Sequence, residues 1–214
     1  QGLLHGVAAN GGGRGGMSDP KTLLQMAGAN LEPARLSEAA LVIIDAQREY
    51  VDGKLPLTGV DPAMETIAAL LARARAAGTT IIHILHKGKP GGAFDPDSDH
   101  YQPASQSAPM DGETIITKGL PNAFAGTGLD DALKQAGARP LILAGFMTHM
   151  CVSSTARAAL DLGYGTTVVA DAVATRDLPN PSGGVIKADM LNASSLAALS
   201  DRFAVVAPLD KIPD

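Results

Sequence analysis

The sequence predicts a three-layer α/β/α sandwich built on a mostly parallel sheet of about six strands. Three observations support this fold class. Apolar segments alternate along the chain with segments of helical periodicity, the apolar segments are nearly continuous, and glycine or proline separates most of them. Strands that are apolar on both faces are typical of parallel sheets that right-handed crossovers cover with helices on each side.

The chain has 214 residues, and we expect residues 17–214 to form one domain. Residues 1–16 are rich in glycine and precede Met17, so we interpret them as an expression leader or a flexible tail and exclude them from the fold. Apolar residues make up 45% of the chain, which is ample for a core, but aromatic residues make up only 3%. Small and aliphatic side chains must therefore fill that core.

Composition excludes several classes of partner. The net charge is −5, and the 17 basic residues are spread along the chain without a cluster, so we expect no nucleic-acid surface. No apolar run approaches the length of a membrane span, so we expect no membrane partner. One cysteine cannot form an internal disulfide and nothing resembles a secretory signal, so we expect a cytoplasmic protein.

The first half of the chain contains three predicted strands, at residues 40–45, 79–85 and 113–118. The first strand stops on a carboxylate, Asp45, and the third stops on an ammonium group, Lys118. A helix between the first two strands is predicted to begin at Asp61, with Pro62 at its first helical position. Residues 86–112 are rich in proline and glycine and lack periodicity, so we expect a functional loop that forms a lid or a pocket wall.

The second half repeats the alternation, with helices near residues 129–135 and 186–199 and strands near 141–144, 166–171 and 203–206. Strand four leads through Gly145 into a tight turn, and apolar residues at helical spacing follow from Val152. Cys151 lies in the first turn of that helix, which Thr148 can cap. Free N–H groups and the helix dipole at this position favour a thiolate over a thiol.

Cys151, Asp45 and Lys118 share one property of position. Each lies at, or just past, the carboxyl end of a predicted strand, and in a parallel sheet these ends point to the same edge. A reversal of strand order between the first and fourth strands would open a crevice there, in which the three side chains can meet. Taken alone, each has an ordinary interpretation: a buried cysteine, a loop cap and a solvated strand end.

Together the three side chains form a set suited to nucleophilic catalysis. A thiol with a pKa of about 8.5 is mostly protonated at neutral pH, so a thiol nucleophile needs a base and a nearby positive charge. Asp45 can accept the thiol proton and later deliver it to a leaving amine, while Lys118 offsets the buried carboxylate. Backbone N–H groups of residues 146–151 can hold an oxyanion.

The chain resembles the isochorismatase-like cysteine hydrolase superfamily over about residues 36–206. The motifs that carry the resemblance are VIIDAQ at residues 42–47, ITK at 116–118, NAF at 122–124, AGFMTHMCV at 144–152 and ADA at 170–172. It implies a catalytic triad of Asp45, Lys118 and Cys151, and a cis peptide bond between Phe146 and Met147. That bond would turn the N–H groups of Met147 and Cys151 toward an oxyanion. The resemblance also implies a homo-oligomer, either a dimer or a tetramer.

Within this family, Cys151 favours hydrolysis of a C–N bond in an amide, a carbamoyl group or a lactam, through a thioester intermediate. Isochorismatases proper cleave a vinyl ether and lack this cysteine, which is why its presence favours C–N hydrolysis. The alternative is still an isochorismatase-type enzyme that cleaves a vinyl ether with Asp45 as general acid. A sensor or scaffold with a reactive thiol is a third, non-enzymatic interpretation. We expect a small, partly apolar substrate that contacts Gln47, Tyr50, Phe124 and His149, although packing explains His149 equally well.

We expect no cofactor and no metal ion. Nicotinamidases of this superfamily carry an Asp/His/His metal site, and Asp52, His86 and His100 lie in comparable regions of this chain. The Asp-x-His run that follows the second strand in nicotinamidases is absent, since residues 86–90 read HKGKP. His83 is predicted to face the core.

Overall fold

A computed structural model describes residues 19–138 and 140–214, so the interpretation of residues 1–16 lies outside the described part of the chain. The strands are β1 (Ala40–Ile44), β2 (Thr80–His86), β3 (Thr114–Lys118), β4 (Pro140–Phe146), β5 (Gly165–Ala174), β6 (Leu178–Pro179), β7 (Val185–Ile186) and β8 (Val205–Ala207). The α-helices are α1 (Leu23–Met26), α2 (Val60–Ala76), α3 (Leu129–Gln135), α4 (Ser153–Asp161) and α5 (Ala188–Arg202). None of these helices is long and apolar enough to cross a bilayer.

The main sheet has six parallel strands in the order β3-β2-β1-β4-β5-β8. The chain begins at β1 near the middle, moves outward to β2 and β3, and then returns to β4 on the other side of β1. The strand order therefore reverses between β1 and β4, and open α/β sheets bind ligands at the carboxyl ends of the strands at such a reversal. The short strands β6 and β7 form a separate antiparallel pair.

Alternate residues of each strand pack against different helices, and this alternation creates the two core layers. On β1, Leu41 and Ile43 lie in the core that α2 covers, whereas Val42 and Ile44 lie in the core that α3, α4 and α5 cover. Both faces of the central strands are therefore buried, which explains their continuous apolar sequence. The structure confirms the three-layer α/β/α sandwich predicted from the sequence.

Several element boundaries differ from the prediction. Helix α2 begins at Val60 rather than at Asp61, because Gly59 adopts a positive φ of 73° and turns the chain into the helix. Strand β5 ends at Ala174 rather than at residue 171. Its register against β4 shifts between Leu143 and Gly145, and beyond this shift β5 continues to the carboxyl edge of the sheet. The loop of residues 86–112 packs inward through Phe94, whose ring makes edge contacts with other rings.

Gly145 allows the backbone of β4 to lie very close to that of β1. Its φ is 118°, and a Cβ atom added there would lie 2.0 Å from the carbonyl oxygen of Ile44. No side chain fits without moving β1, and Asp45 directly follows Ile44. The absence of a side chain at Gly145 therefore fixes the spacing between the strand end that carries Asp45 and the turn that carries Cys151.

Candidate active site

The structure brings Asp45, Lys118 and Cys151 together at the carboxyl edge of the sheet. The Lys118 Nζ atom lies 2.9 Å from Oδ2 of Asp45 and 3.3 Å from Sγ of Cys151. The side chains of Asp45 and Lys118 are fully buried, and Cys151 is 4% exposed. A buried ammonium thus lies between a buried carboxylate and the thiol.

The strand ends place each group. Asp45 follows β1 with a φ of 51°, a left-handed conformation that residues other than glycine seldom adopt, and its N–H donates to the carbonyl of Ile84. Lys118 ends β3, and β2 separates that strand from β1. The side chain of Lys118 therefore has to cross the end of β2, beside His86, to reach Asp45.

All three protons of the Lys118 ammonium have a neighbour. Besides Asp45 and Cys151, Nδ1 of His86 lies 2.9 Å from Nζ. Because an ammonium can only donate, Nδ1 of His86 must accept, which requires an imidazole without a proton at Nδ1. Burial, with the positive charge of Lys118, lowers the pKa of His86 to about 4, so the ring is neutral at neutral pH.

The protonation states in the cluster differ from one expectation drawn from the sequence. Burial raises the pKa of Asp45 to about 6, although the charge of Lys118 opposes the shift. Burial also raises the pKa of Cys151 to about 12, and the negative charge of Asp45 adds to this effect. The expected preference for a thiolate is therefore wrong, because the helix turn leaves the sulfur buried beside a carboxylate. At neutral pH the cluster holds a thiol, an ammonium and a carboxylate.

Neither oxygen of the Asp45 carboxylate accepts a hydrogen bond of ordinary geometry from the described residues. The contact with Lys118 is therefore an ion pair, and the lone pairs of the carboxylate stay available to a proton donor. Burial keeps water away from the negative charge of Asp45, and this raises the pKa of the carboxyl group although Lys118 and Cys151 act in the opposite direction.

The turn before α4 differs in detail from the predicted helix start. Residues Thr148–Val152 form a π-helical turn that runs into α4, and the peptide bond between Phe146 and Met147 is cis. Thr148 does not cap the helix, because its hydroxyl donates to Oδ1 of Asn192 on α5 at 2.5 Å. The Met147 N–H donates no hydrogen bond within the described residues, so it is available to a ligand oxygen.

Two of the expected substrate contacts lie beside the cluster. Gln47 is fully buried; its Nε2 donates to the carbonyls of His86 and Tyr101, and its Oε1 accepts from the His86 N–H. Both Nε2 protons are thus used within the protein, and Gln47 orders the strand end at His86. Tyr50 is 3% exposed and makes edge contacts with the rings of Phe94 and Phe146. Its hydroxyl forms no hydrogen bond within the described residues.

The other two expected contacts have partners within the protein. Phe124 is half-buried on the α3 and α4 face of the sheet, where its ring stacks on that of Tyr164. His149 lies in the same turn as Cys151, and its Nδ1 lies 2.6 Å from the hydroxyl oxygen of Thr175. Their direct contact with a substrate stays a prediction.

The residues considered for a metal site do not form one cluster. The His100 ring contacts Asp52 at 3.8 Å, whereas His86 contacts Lys118. No group of three or more histidine, cysteine, aspartate or glutamate side chains is placed to hold a metal ion among residues 19–138 and 140–214. His83 is buried, as predicted, and its Nε2 lies 2.7 Å from Glu113.

Sequence reasoning missed two basic side chains near the cluster. His86 was considered only as a metal ligand, although it ends β2 at the same edge of the sheet. Arg176 was not considered, because the predicted fifth strand stopped at Asp171 and the residue fell in a loop. The observed β5 ends at Ala174, so Arg176, like Asp45 and Lys118, lies at or just past the carboxyl end of a strand.

Comparisons with known proteins identify the family of this chain. A family model described as the isochorismatase domain matches residues 39–209. A secreted isochorismatase effector of Verticillium dahliae is 36% identical over 183 residues, which cover 85% of this chain and 93% of that protein. A streptothricin hydrolase of Streptomyces noursei is 32% identical over 176 residues, which cover 81% of this chain and 70% of that protein.

Among solved structures, an isochorismatase from Pseudomonas putida KT2440 superimposes with a TM-score of 0.87 and 45% sequence identity. The alignment covers 90% of this chain and 99% of that one. Similarity in sequence and in structure therefore extends over the sheet, the helices and all three strand ends that carry the cluster. The chain belongs to the isochorismatase family and is a hydrolase of that family.

Proposed function

We propose that this hydrolase cleaves the C–N bond of a small amide, carbamoyl compound or lactam, with Cys151 as nucleophile. The observation that carries the proposal is the position of the Lys118 ammonium between Asp45 and Cys151. Similarity to a streptothricin hydrolase adds support. A vinyl ether hydrolase has no evident need for a thiol at this place.

The proposed reaction starts from the thiol, because the pKa of Cys151 is raised to about 12. As Sγ attacks the carbonyl carbon, the thiol proton passes to Asp45, and the new S–C bond forms while the carbonyl oxygen gains a negative charge. The N–H groups of Met147 and Cys151 would stabilise that oxyanion. The C–N bond then breaks as Asp45 returns the proton to the leaving amine.

The thioester left on Cys151 is proposed to react with water. Asp45 takes one proton from the water while the water oxygen attacks the thioester carbon. The S–C bond then breaks, Asp45 gives that proton to the sulfur, and the thiol is regenerated as a carboxylic acid leaves. Lys118 keeps its proton throughout, so its positive charge favours the ionised form of Asp45 before each step in which Asp45 accepts a proton. The balance is one amide and one water consumed, and one acid and one amine released.

The rate is expected to fall at low pH because the base must be ionised. The pKa of Asp45 is raised to about 6, so kcat/KM should fall as the pH decreases through about 6, approaching a tenfold loss for each further pH unit. Rates measured on a neutral amide between pH 4.5 and 8 would test this. A profile that stays flat down to pH 4.5 would contradict the role of Asp45 as base.

Acid unfolding through Asp45 does not explain such a loss. The folded-state pKa lies above 3.8, the ordinary value of an aspartate, so the folded protein binds this proton more tightly than the unfolded chain does. The contribution of Asp45 to stability therefore increases as the pH falls through the window from about 6 to 3.8. Circular dichroism at each pH serves as the control for other groups.

The proposed thioester can be trapped. Rapid acid quenching during turnover of a small amide, followed by peptide mass spectrometry, should add the mass of the acyl group to the peptide that contains Cys151. Because the chain has one cysteine, a thioester can form at no other residue. Turnover without an acyl adduct at any quench time would argue against covalent catalysis. This outcome should hold both in the wild type and in a variant with slowed deacylation.

A second candidate is vinyl ether hydrolysis with Asp45 as general acid. The specific observation in its favour is the raised pKa of Asp45, since a carboxyl group with a pKa of about 6 can donate a proton under mildly acidic conditions. Two of the similar proteins are also named isochorismatases. A reactive-thiol sensor is less well supported, because the sulfur of Cys151 is buried and its pKa is raised. A homo-oligomer and a cytoplasmic location stay predictions.

A further inference from the structure

The Lys118 ammonium has one neighbour that takes no part in the proposed bond changes, the imidazole of His86. Its Nδ1 atom lies 2.9 Å from Nζ, whereas the other contacts of Nζ in the described part of the chain are with Asp45 and Cys151. Strand register produces this contact, because His86 ends β2 and pairs with Lys118 at the end of β3. The imidazole is therefore placed beside the ammonium by the sheet itself.

The proposed reaction changes the other two neighbours of Lys118. Asp45 loses its negative charge each time it accepts a proton, and Sγ of Cys151 forms a bond to the acyl carbon. In the tetrahedral intermediate both changes are present together, so both groups are weaker acceptors than in the resting enzyme. Nδ1 of His86 keeps its lone pair at every step.

A lysine needs such a constant partner because its ammonium is carried on a flexible chain of four carbon atoms with rotatable donors. The side chain of Lys118 is fully buried, so an N–H group that loses its acceptor there is costly. With Nδ1 of His86 as a fixed acceptor, the other two N–H groups of the ammonium stay directed at Asp45 and Cys151.

His86 is itself held on two sides. Gln47 accepts the His86 N–H at 2.8 Å and donates to its carbonyl at 3.0 Å, so the backbone is fixed at the strand end. The ring of Phe94 makes an edge contact with the imidazole, with ring centroids 5.2 Å apart. Phe94 is anchored in turn, because its N–H donates to the buried carboxylate of Glu49.

The two nitrogen atoms of the His86 ring are in different situations. Nδ1 contacts Lys118, whereas Nε2 forms no hydrogen bond among residues 19–138 and 140–214. Because Nδ1 accepts, the proton of the neutral ring lies on Nε2, and that N–H would have to meet a substrate directly to act. The contact present in the structure favours a role through Nδ1.

We propose that His86 is a positioning residue whose Nδ1 atom holds the Lys118 ammonium against Asp45 and Cys151 while the bonds and charges of those two groups change. The changes themselves rest on the proposed amide hydrolysis. The position of the ammonium does not, because the same contacts are present in the resting protein and act on any reaction of the thiol.

Asparagine and leucine form a matched pair for position 86. Their side chains have almost the same shape, and both remove the ring that contacts Phe94, but only asparagine places an acceptor, Oδ1, where Nδ1 lies. We expect His86→Leu to lose about 30-fold in kcat for amide hydrolysis with little change in KM, and His86→Asn to recover most of that loss. A role in packing alone would affect the two variants equally.

Two outcomes in these assays would overturn the proposal. Equal kcat values in His86→Asn and His86→Leu would show that an acceptor at Nδ1 has no role, and wild-type kcat in His86→Leu would show that Lys118 needs no third partner. If His86→Leu does not fold, His86→Gln and His86→Met give a second pair of equal length, to which the same criterion applies. His100→Leu replaces a half-buried histidine that contacts Asp52 instead, and it should leave kcat unchanged.

Alkylation of Cys151 by iodoacetamide separates this proposal from the proposed amide hydrolysis. The sulfur forms an S–C bond, iodide leaves and the thiol proton is released, so the rate depends on the ammonium that stabilises the developing thiolate. We expect His86→Asn to react about tenfold faster than His86→Leu, although the two variants leave equal space for the reagent. A ratio of about one would overturn the role of His86. If the ratio is found but the wild type hydrolyses no amide, the positioning of Lys118 stands and the proposed amide hydrolysis fails.

Discussion

Replacement of Cys151 by alanine is expected to reduce kcat/KM for amide hydrolysis by about 10⁴-fold or more. Asp45 and Lys118 remain in the variant, but no atom is left to form the thioester, and a water molecule would have to attack the amide directly. The thiol is buried but small, and its replacement removes one atom, so the free energy of unfolding should change by about 1 kcal/mol. Steady-state kinetics and denaturant unfolding measure the two effects.

Cys151→Ser provides the matched control. It keeps a group of similar size in the cluster, so its fold and its stability should resemble those of the wild type, yet a hydroxyl beside this base is a much weaker nucleophile than a thiol. We expect both variants to be folded and almost inactive on amides. Retention of more than about a tenth of the wild-type rate by Cys151→Ala would contradict the proposed mechanism.

The same variant distinguishes the two candidate reactions. If the enzyme acts on a vinyl ether through protonation by Asp45, Cys151→Ala should keep most of that activity, because the sulfur takes no part in proton donation. Asp45→Asn, by contrast, should be inactive whichever reaction the enzyme catalyses, because Asp45 transfers the proton in both. The pair of variants therefore assigns the reaction class without knowledge of the physiological substrate.

The sequence was sufficient to predict the fold and the three strand ends of the cluster for one physical reason. Parallel strands place their carboxyl ends at one edge, so Asp45 and Lys118 could be located from the last residue of each apolar run. Cys151 was found in the same way, from the turn that follows β4. Continuous apolar strands and the helical periodicity between them indicated that helices cover both faces of the sheet.

Properties that depend on neighbours could not be predicted in this way. The expected thiolate at Cys151 followed from a local helix dipole, but burial and the charge of Asp45 act in the opposite direction and are stronger. The amide of Gln47 was expected in the pocket, yet backbone groups of His86 and Tyr101 use its donors, and that contact depends on how the long loop folds back. Arg176 was missed because the shift in register between β4 and β5 extends the strand.

Replacement of Lys118 by methionine is expected to have a large effect on stability as well as on activity. Methionine has a similar length and fills the space, but it leaves the fully buried Asp45 without a counter-ion. Removal of one partner from a buried ion pair costs about 3–5 kcal/mol, whereas removal of both is far less destabilising. We therefore expect Lys118→Met to lose about that much unfolding free energy at pH 8, and the double variant with Asp45→Asn to recover part of it.

The loss in Lys118→Met should depend on pH in a defined direction. Lys118 is the group that opposes the upward shift in the pKa of Asp45, so without it the pKa should rise above about 6. A carboxyl group whose folded-state pKa is raised binds its proton more tightly in the folded protein, so the variant should become more stable relative to wild type as the pH falls from 8 toward 5. Urea unfolding at several pH values measures this trend.

A matched lysine shows whether the effect comes from burial. Lys134 also pairs with an aspartate, Asp130, but its side chain is 66% exposed, so Lys134→Met should change the unfolding free energy by about 0.5 kcal/mol or less and without a pH trend. Lys118→Met should in addition lose about 10³-fold in kcat, because the charge that favours the ionised form of Asp45, which acts as the base, is gone. A Lys118→Met protein as stable as Lys134→Met at pH 8 would mean that Asp45 is already protonated in the resting enzyme. In that case Asp45 would begin the reaction as an acid, and the vinyl ether reaction would become the better assignment.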